Sequence, residues 1–195
     1  IWEPTQERLI SCHTEIIRLN KIVDQLKELY LLENKKDILT MKYFDIFELC
    51  KAVSKEFEIK VQDKRIYLNI KIPNFAMVYG DETRIKQCLI NLVSNAINYG
   101  AVEGDITVMY EKLDNHTILT VSDNGPGILE EDLPYVFERF YRVDKSRNKN
   151  TGGMGIGLAI TKAIVDAHGG IITVESHVGV GSTFKISLPL PENLI

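Results

Sequence analysis

The sequence predicts an α+β protein: a two-layer α/β sandwich, with a mixed, mostly antiparallel sheet carrying helices on one face, preceded by one long N-terminal helix. Three observations carry this. Helix-periodic segments at 4–33, 45–60, 82–99 and 158–168 are interleaved with alternating strand patterns, and most of those strands are hairpin-linked. Glycine clusters fall at 125–127 and 152–157, where the chain passes between sheet and helix. The composition, 45% hydrophobic and 26% charged over 195 residues, is that of one domain with a real core, or one domain plus an appendage.

Residues 4–33 form the cleanest periodic segment. Leu9, Cys12, Ile16, Leu19, Val23, Leu26 and Tyr30 are spaced alternately three and four apart, a heptad seam that needs a partner helix. Pro4 suits the first turn. Residues 34–41 are a polar break, and the expected domains are 1–39 and 40–195. A helix follows at 45–60, with Phe47, Leu49, Val53 and Phe57 apolar. Ile66, Leu68, Ile70 and Ile72 alternate as a strand, which Pro73 ends. Asp81 is a natural N-cap for the helix to Tyr99, whose buried stripe is Ile85, Leu89, Leu92, Val93 and Ala96. Ile106, Val108 and Tyr110 make one strand and Thr117–Val121 the next, joined by a turn at 113–116. Gly169-Gly170 stops the last helix. Two closing strands contain Ile172 and Val174, then Phe184, Ile186 and Leu188.

Charge and cysteines narrow the class. A net charge of −4 gives no reason to expect nucleic acid or an anionic membrane surface as partner. Cys12, Cys50 and Cys88 fit neither a zinc pattern nor a disulfide framework, and read as reduced cytosolic thiols. No apolar run approaches the roughly 20 residues that span a bilayer.

The chemistry gathers in two places. Gly152-Gly-Met-Gly-Ile-Gly-Leu158 opens onto a helix, and a helix N-terminus offers free N–H groups and a positive dipole end to phosphate. It is not a Walker A loop, since no Lys-Ser/Thr follows, and its Gly-x-Gly-x-Gly spacing is not the dinucleotide fingerprint. Asn91 and Asn95 lie at i and i+4, so both amides share one helix face. An amide oxygen can ligate Mg²⁺ and an amide NH₂ can donate to phosphate. A polar helix edge, a turn-forming Asp123 and solvated loop charges at Arg142 and Lys145 are the plain alternatives.

Residues 44–190 resemble the ATP-binding domain of sensor histidine kinases, within the ATPase superfamily that includes gyrase, Hsp90 and MutL. Five boxes in order carry the resemblance: Asn-Leu-Val-Ser-Asn-Ala at 91–96, Asp-Asn-Gly-Pro-Gly-Ile at 123–128, Phe-Glu-Arg-Phe-Tyr-Arg at 137–142, the glycine run at 152–158 and Gly-Ser-Thr-Phe at 181–184. It implies a Bergerat-type ATP-binding fold, ATP and Mg²⁺ as cofactors, and phosphoryl transfer to a histidine for relay to a response regulator. It also implies roles. Asp123 would accept from the adenine amine, with Gly125, Gly127 and Ile128 beside the base and Thr183 supporting it. Tyr99 would pack near base or ribose. Asn91 and Asn95 would be the catalytic pair, with Asn95 on Mg²⁺. Arg142 and Lys145 would reach the γ-phosphate. Gly153, Met154, Gly155, Ile156, Gly157 and Leu158 would hold the lid's end at the phosphates.

Three further expectations follow from the resemblance. Hydrolytic superfamily members place a water-activating Glu where this chain has Asn91, and an amide takes no proton at neutral pH. The family's usual Lys or Arg is replaced by Asn98, so one phosphate-facing cation is missing or supplied elsewhere. Residues 1–39 resemble the second helix of the dimerisation hairpin and its linker. His13, followed by Thr14 rather than an acidic residue, does not match the phosphoacceptor, which is expected upstream. The expected protein is then the cytoplasmic part of a membrane-bound, homodimeric kinase. A serine-directed kinase of the same superfamily and a non-catalytic ATP-binding module remain open.

Overall fold

The computed structural model describes residues 5–34, 38–143 and 154–191. Helix α1 spans Gln6–Glu33, capped by Thr5, whose hydroxyl accepts from the Arg8 N–H. Strand β1 (Lys42–Asp45) leads into α2 (Ile46–Asp63), and β2 (Tyr67–Lys71) and β3 (Met77–Gly80) precede α3 (Glu82–Tyr99). Strands β4 (Asp105–Lys112) and β5 (His116–Asp123) form a hairpin, a 3₁₀ turn covers Leu133–Tyr135, and α4 (Gly157–Ala167), β6 (Ile171–His177) and β7 (Gly181–Pro189) complete the chain.

Five strands make one mixed sheet in the order β2-β4-β5-β7-β6, with β2 parallel to β4 and every other pair antiparallel. Alternation buries one side: Ile106, Val108, Leu119, Val121, Phe184 and Ile186. Three helices cover that side, presenting Leu49, Val53 and Phe57 from α2, Ile85, Leu89 and Leu92 from α3, and Ile160 and Ile164 from α4. Burying each such side chain contributes about 1.5–3 kcal/mol. The other face of the sheet is wet and carries the Lys185–Glu175 ion pair at 2.8 Å. This is the two-layer architecture expected from the periodicities.

A separate ribbon pairs β1 with β3, Tyr43 opposite Tyr79 with ring centroids 5.0 Å apart. The sequence reading had no strands there, because four residues are too few to display an alternation. Asp45, the last residue of β1, and Asp81, just after β3, cap α2 and α3, accepting from Phe47 N–H and from Thr83 and Arg84 N–H. His168, at the end of α4, accepts the Asp81 N–H on Nε2 (3.0 Å) and places Nδ1 2.7 Å from the Ile164 carbonyl. That geometry requires the neutral Nδ1–H tautomer, and burial lowers the ring's pKa accordingly.

Helix α1 lies against the domain through a face that shares only Leu26 with the heptad seam. Leu29 and Leu32 are fully buried, and Ile22 and Leu26 pack beside them. The heptad residues Leu9, Ile16, Leu19, Val23 and Tyr30 remain more than half exposed. Glu28 pairs with Arg84 and accepts from the Gln87 amide on α3 at 3.0 Å, and Glu33 pairs with Arg139. Cys50 and Cys88 are buried free thiols, Cys50 pushed up to about 12 by desolvation, whereas Cys12 is exposed.

Candidate functional site

A cleft of about 760 Å³ opens between α3, α4, the end of β5 and the α1 surface. Its size suits a drug-sized or nucleotide-sized ligand. Asp123 and Asn95 both line it, as do Asn91, Tyr99, Gly127, Ile128, Arg142, Met154, Gly155, Ile156, Gly157 and Leu158. Gly125 and Thr183 stand just behind the wall. Gly125 N–H donates to Asp123 Oδ1 (2.9 Å), and Thr183 shares a 2.9 Å hydroxyl contact with Ser122. Lys145 and Gly153 lie outside the described residues.

Asp123 ends β5 opposite Ser182 of β7 and Ile106 of β4. The turn after it is locked from outside. Gly127 has φ +73°, and a Cβ there would sit 2.2 Å from the His177 carbonyl oxygen. Gly181 has φ +131°, and its Cβ would fall 1.9 Å from the Asp123 carbonyl oxygen. Only glycine permits either approach. Buried Ser176 completes the lock by accepting the Ile128 N–H (2.8 Å) and donating to the Gly181 carbonyl (2.9 Å). Burial raises the Asp123 carboxyl above its ordinary value, and the Gly125 and Ser182 N–H donors only partly offset this. A half-buried carboxylate held this way is an acceptor aimed at a ligand donor.

The opposite wall is made by α3 and α4. Asn91 donates through Nδ2 to the Gly157 carbonyl (3.1 Å) and to Thr161 Oγ1 (3.2 Å), which fixes the start of α4 on α3. Its Oδ1 has no partner among the described residues. Asn95, one turn on, has no side-chain partner among the described residues. Helix α4 begins without a side-chain cap among the described residues, and its first turn, Gly157 and Leu158, lines the cleft, where a helix N-terminus favours an anion. Phe184 lines the cleft and is backed by an edge contact from Phe137, centroids 6.4 Å apart.

Charge is strongly sorted. Among the described lining residues Asp123 is the lone carboxylate, and Lys21, Lys60 and Arg142 supply three cations. A chain with net charge −4 therefore builds a locally positive cleft with one acid at its far end. Lys21, Gln25, Lys60 and Val136 are lining residues that the motifs did not point to, while Ser94 and Tyr141 lie within the boxes without having been given a role. Lys21, Gln25 and Lys60 belong to helices whose periodic pattern read as packing alone, and no local signal marks them.

Residues 80–192 match the family model described as histidine kinase-, DNA gyrase B-, and HSP90-like ATPase. The chain belongs to this ATPase family. It is 34% identical over 172 residues to the sensor-like histidine kinase SenX3 of Mycolicibacterium smegmatis, covering 88% of this chain and 45% of that protein. It is 32% identical over 191 residues to the signal transduction histidine-protein kinase BaeS of Escherichia coli, covering 97% and 41%. The chain thus spans less than half the length of these relatives. Among solved structures it superimposes on the Acinetobacter baumannii histidine kinase AdeS with TM-score 0.81, 28% identity and coverage of 98% and 88%. The histidine kinase ThkA, solved in complex with the response regulator protein TrrA, matches with TM-score 0.73, 30% identity and coverage of 99% and 54%. The resemblance read from the five boxes is therefore correct, and so is the fold.

Proposed function

We propose that this chain is the ATP-binding catalytic part of a sensor histidine kinase, transferring the γ-phosphate of Mg-ATP to a histidine for relay to a response-regulator aspartate. The observation that carries the reading is that Asp123 and Asn95 face one cleft of nucleotide size. Asp123 is the acceptor for the adenine exocyclic amine; a guanine would present an oxygen to it. Tyr99 packs at the base or ribose. The uncapped start of α4, from Gly155 to Leu158, receives the phosphates, with Arg142 and Lys145 at the γ end.

The donor set fits magnesium bound through the nucleotide. No cluster of three or more His, Cys, Asp or Glu able to hold a metal occurs among the described residues. Mg²⁺ favours phosphate oxygens, waters and one or two protein oxygens over a complete protein cage. Asn95 Oδ1, with Asn91 Oδ1 beside it, would hold the ion, which neutralises phosphate charge when bound. The chain's own contribution is positioning and exclusion of a proton acceptor. Asn91 cannot act as a base, which suits an enzyme that retains ATP until a protein nucleophile arrives.

Residues 1–39 are read as the second helix of a dimerisation hairpin with its linker, and 40–195 as the catalytic domain. The exposed seam from Leu9 to Tyr30 is then the homodimer face, and the whole protein is a membrane-bound sensor with this part in the cytoplasm. No described helix is long and apolar enough to cross a membrane. None of the four histidines is the acceptor in this reading. His168 has both ring nitrogens engaged, and His13, though exposed, lacks the acidic neighbour.

The test is incubation of residues 1–195 with labelled ATP, alone and with a separately made acceptor hairpin. The expected result is no label on the chain alone and acid-labile label on the hairpin. Acid-stable label would point to a hydroxyl-directed kinase. ATP binding without transfer to any acceptor would leave a binding module.

A further inference from the structure

Helix α1 sends two side chains into the cleft. Lys21 and Gln25 both line it. With Glu28 they occupy i, i+4 and i+7, a single face of the helix. Glu28 meets Arg84 and Gln87 on α3. Along α3, residues 84, 87, 91 and 95 form the corresponding stripe. Glu28 fixes one end of this contact, and Lys21 and Gln25 share the cleft lining with Asn91 and Asn95, which the ATP reading makes the phosphate end of the site.

Neither side chain has a protein partner among the described residues: Lys21 is exposed, and Gln25 carries a buried oxygen. Gln25 Oε1 is buried without a hydrogen bond, a condition that costs about 1–3 kcal/mol unless a ligand or water completes it. The Lys21 ammonium has no ion-pair partner among the described residues. On α3 itself the phosphate-facing cation is absent, because Asn98 is neutral and its amide donates to Ser94 Oγ at 3.2 Å. Lys60 also borders the cleft, but its ammonium sits 5.7 Å from the Phe57 ring centroid.

We propose that α1 supplies the missing cation: Lys21 binds the triphosphate directly, and Gln25 accepts from a water of its hydration shell. This rests on the ATP reading above and deepens it. The nucleotide then bridges two parts of the chain, so that polyphosphate binding holds α1 on the domain and α1 docking raises polyphosphate affinity. Such a linkage is necessarily reciprocal. It also places a selectivity for charge, rather than for base, on a helix outside the family's five boxes.

Calorimetric titration of ATP and of adenosine into residues 1–195 tests this, using wild type, Lys21→Met, Lys21→Arg and Lys60→Met. Methionine keeps the apolar stem and removes the charge. The expected result for Lys21→Met is an ATP affinity roughly fivefold weaker, the size of one partly screened charge contact. Adenosine affinity stays unchanged, ATP affinity depends less steeply on salt, and Lys21→Arg recovers most of the loss. Equal ATP affinity in wild type and Lys21→Met overturns the proposal, as does a loss confined to Lys60→Met. Failure of wild type to bind ATP at all overturns the underlying reading, a result distinct from either.

Discussion

Asp123→Asn is the sharpest test of the site, because it changes one proton-accepting group and little else. The carboxylate accepts the Gly125 N–H at 2.9 Å and the Ser182 N–H. An asparagine Oδ1 can keep accepting from Gly125. Removing a carboxylate that burial already pushes toward its neutral form costs little stability, so the fold should survive within about 1 kcal/mol. The ligand side behaves differently. A charge-assisted hydrogen bond from the adenine amine, about 1.5–3 kcal/mol, is lost, and the amide NH₂ now faces another donor. Each 1.4 kcal/mol is about tenfold, so ATP affinity should fall between ten- and a hundredfold. The assay is calorimetric titration of ATP, with thermal denaturation as the fold control. Wild type carries a further signature. Its ATP affinity should fall as pH descends through the raised Asp123 value, and the variant should lose that dependence. An Asp123→Asn protein that binds ATP within twofold of wild type would refute the placement of adenine at this carboxylate.

Other perturbations read the scaffold. Below neutral pH, His168 protonates more readily in the unfolded chain than in the fold, because burial, opposed by the Ile164 carbonyl and Asp81, lowers its folded pKa. Stability is then flat above about pH 7 and declines as pH drops through 6.5, by at most about 1.4 kcal/mol per unit, which denaturant titrations from pH 7.5 to 5.5 would follow. Gly181→Ala forces a Cβ to 1.9 Å from the Asp123 carbonyl oxygen; urea melts should show a loss of about 1–3 kcal/mol together with weakened ATP binding. Asn91→Asp replaces a donor by an acceptor facing Gly157 O and Thr161 Oγ1, whose own proton is committed to Gly157 O at 2.9 Å. The expected cost is about 1–3 kcal/mol of stability, read by the same melts.

What the sequence disclosed depended on how local each signal was. Helix α3 could be read end to end because its N-cap, apolar stripe and paired amides all lie within one segment. Asp123 and Gly127 could be read because their motif is contiguous, although the reason Gly127 must be glycine is the His177 carbonyl fifty residues away. Helix α1 could be assigned but not oriented. Its heptad seam outweighs the face built from Ile22, Leu29 and Leu32, joined to the seam only at Leu26, and that face is recognisable only against α4. The same holds for Lys21, Gln25 and Lys60. They reach the cleft because helices distant in sequence are stacked beside it, and nothing in their own neighbourhoods records that.

The cleft's chemistry follows from what its walls have committed. Both protons of the Asn91 amide are spent on holding α4, which leaves only an oxygen for the ligand. The first turn of α4 carries no side-chain cap among the described residues, which suits it to an anion. The one acid among the described lining residues stands at the end of β5, away from the Asn91–Gly157 contact. Among the described lining residues, a water molecule beside the phosphates would thus find amides, N–H donors and cations, and no carboxylate at hand to take its proton. Hydrolysis gains little from such walls, while a nucleophile arriving from another surface would meet a triphosphate already oriented and neutralised. On this argument, the donor–acceptor balance that would make the site a poor ATPase is the same one that would let it serve as a phosphoryl donor.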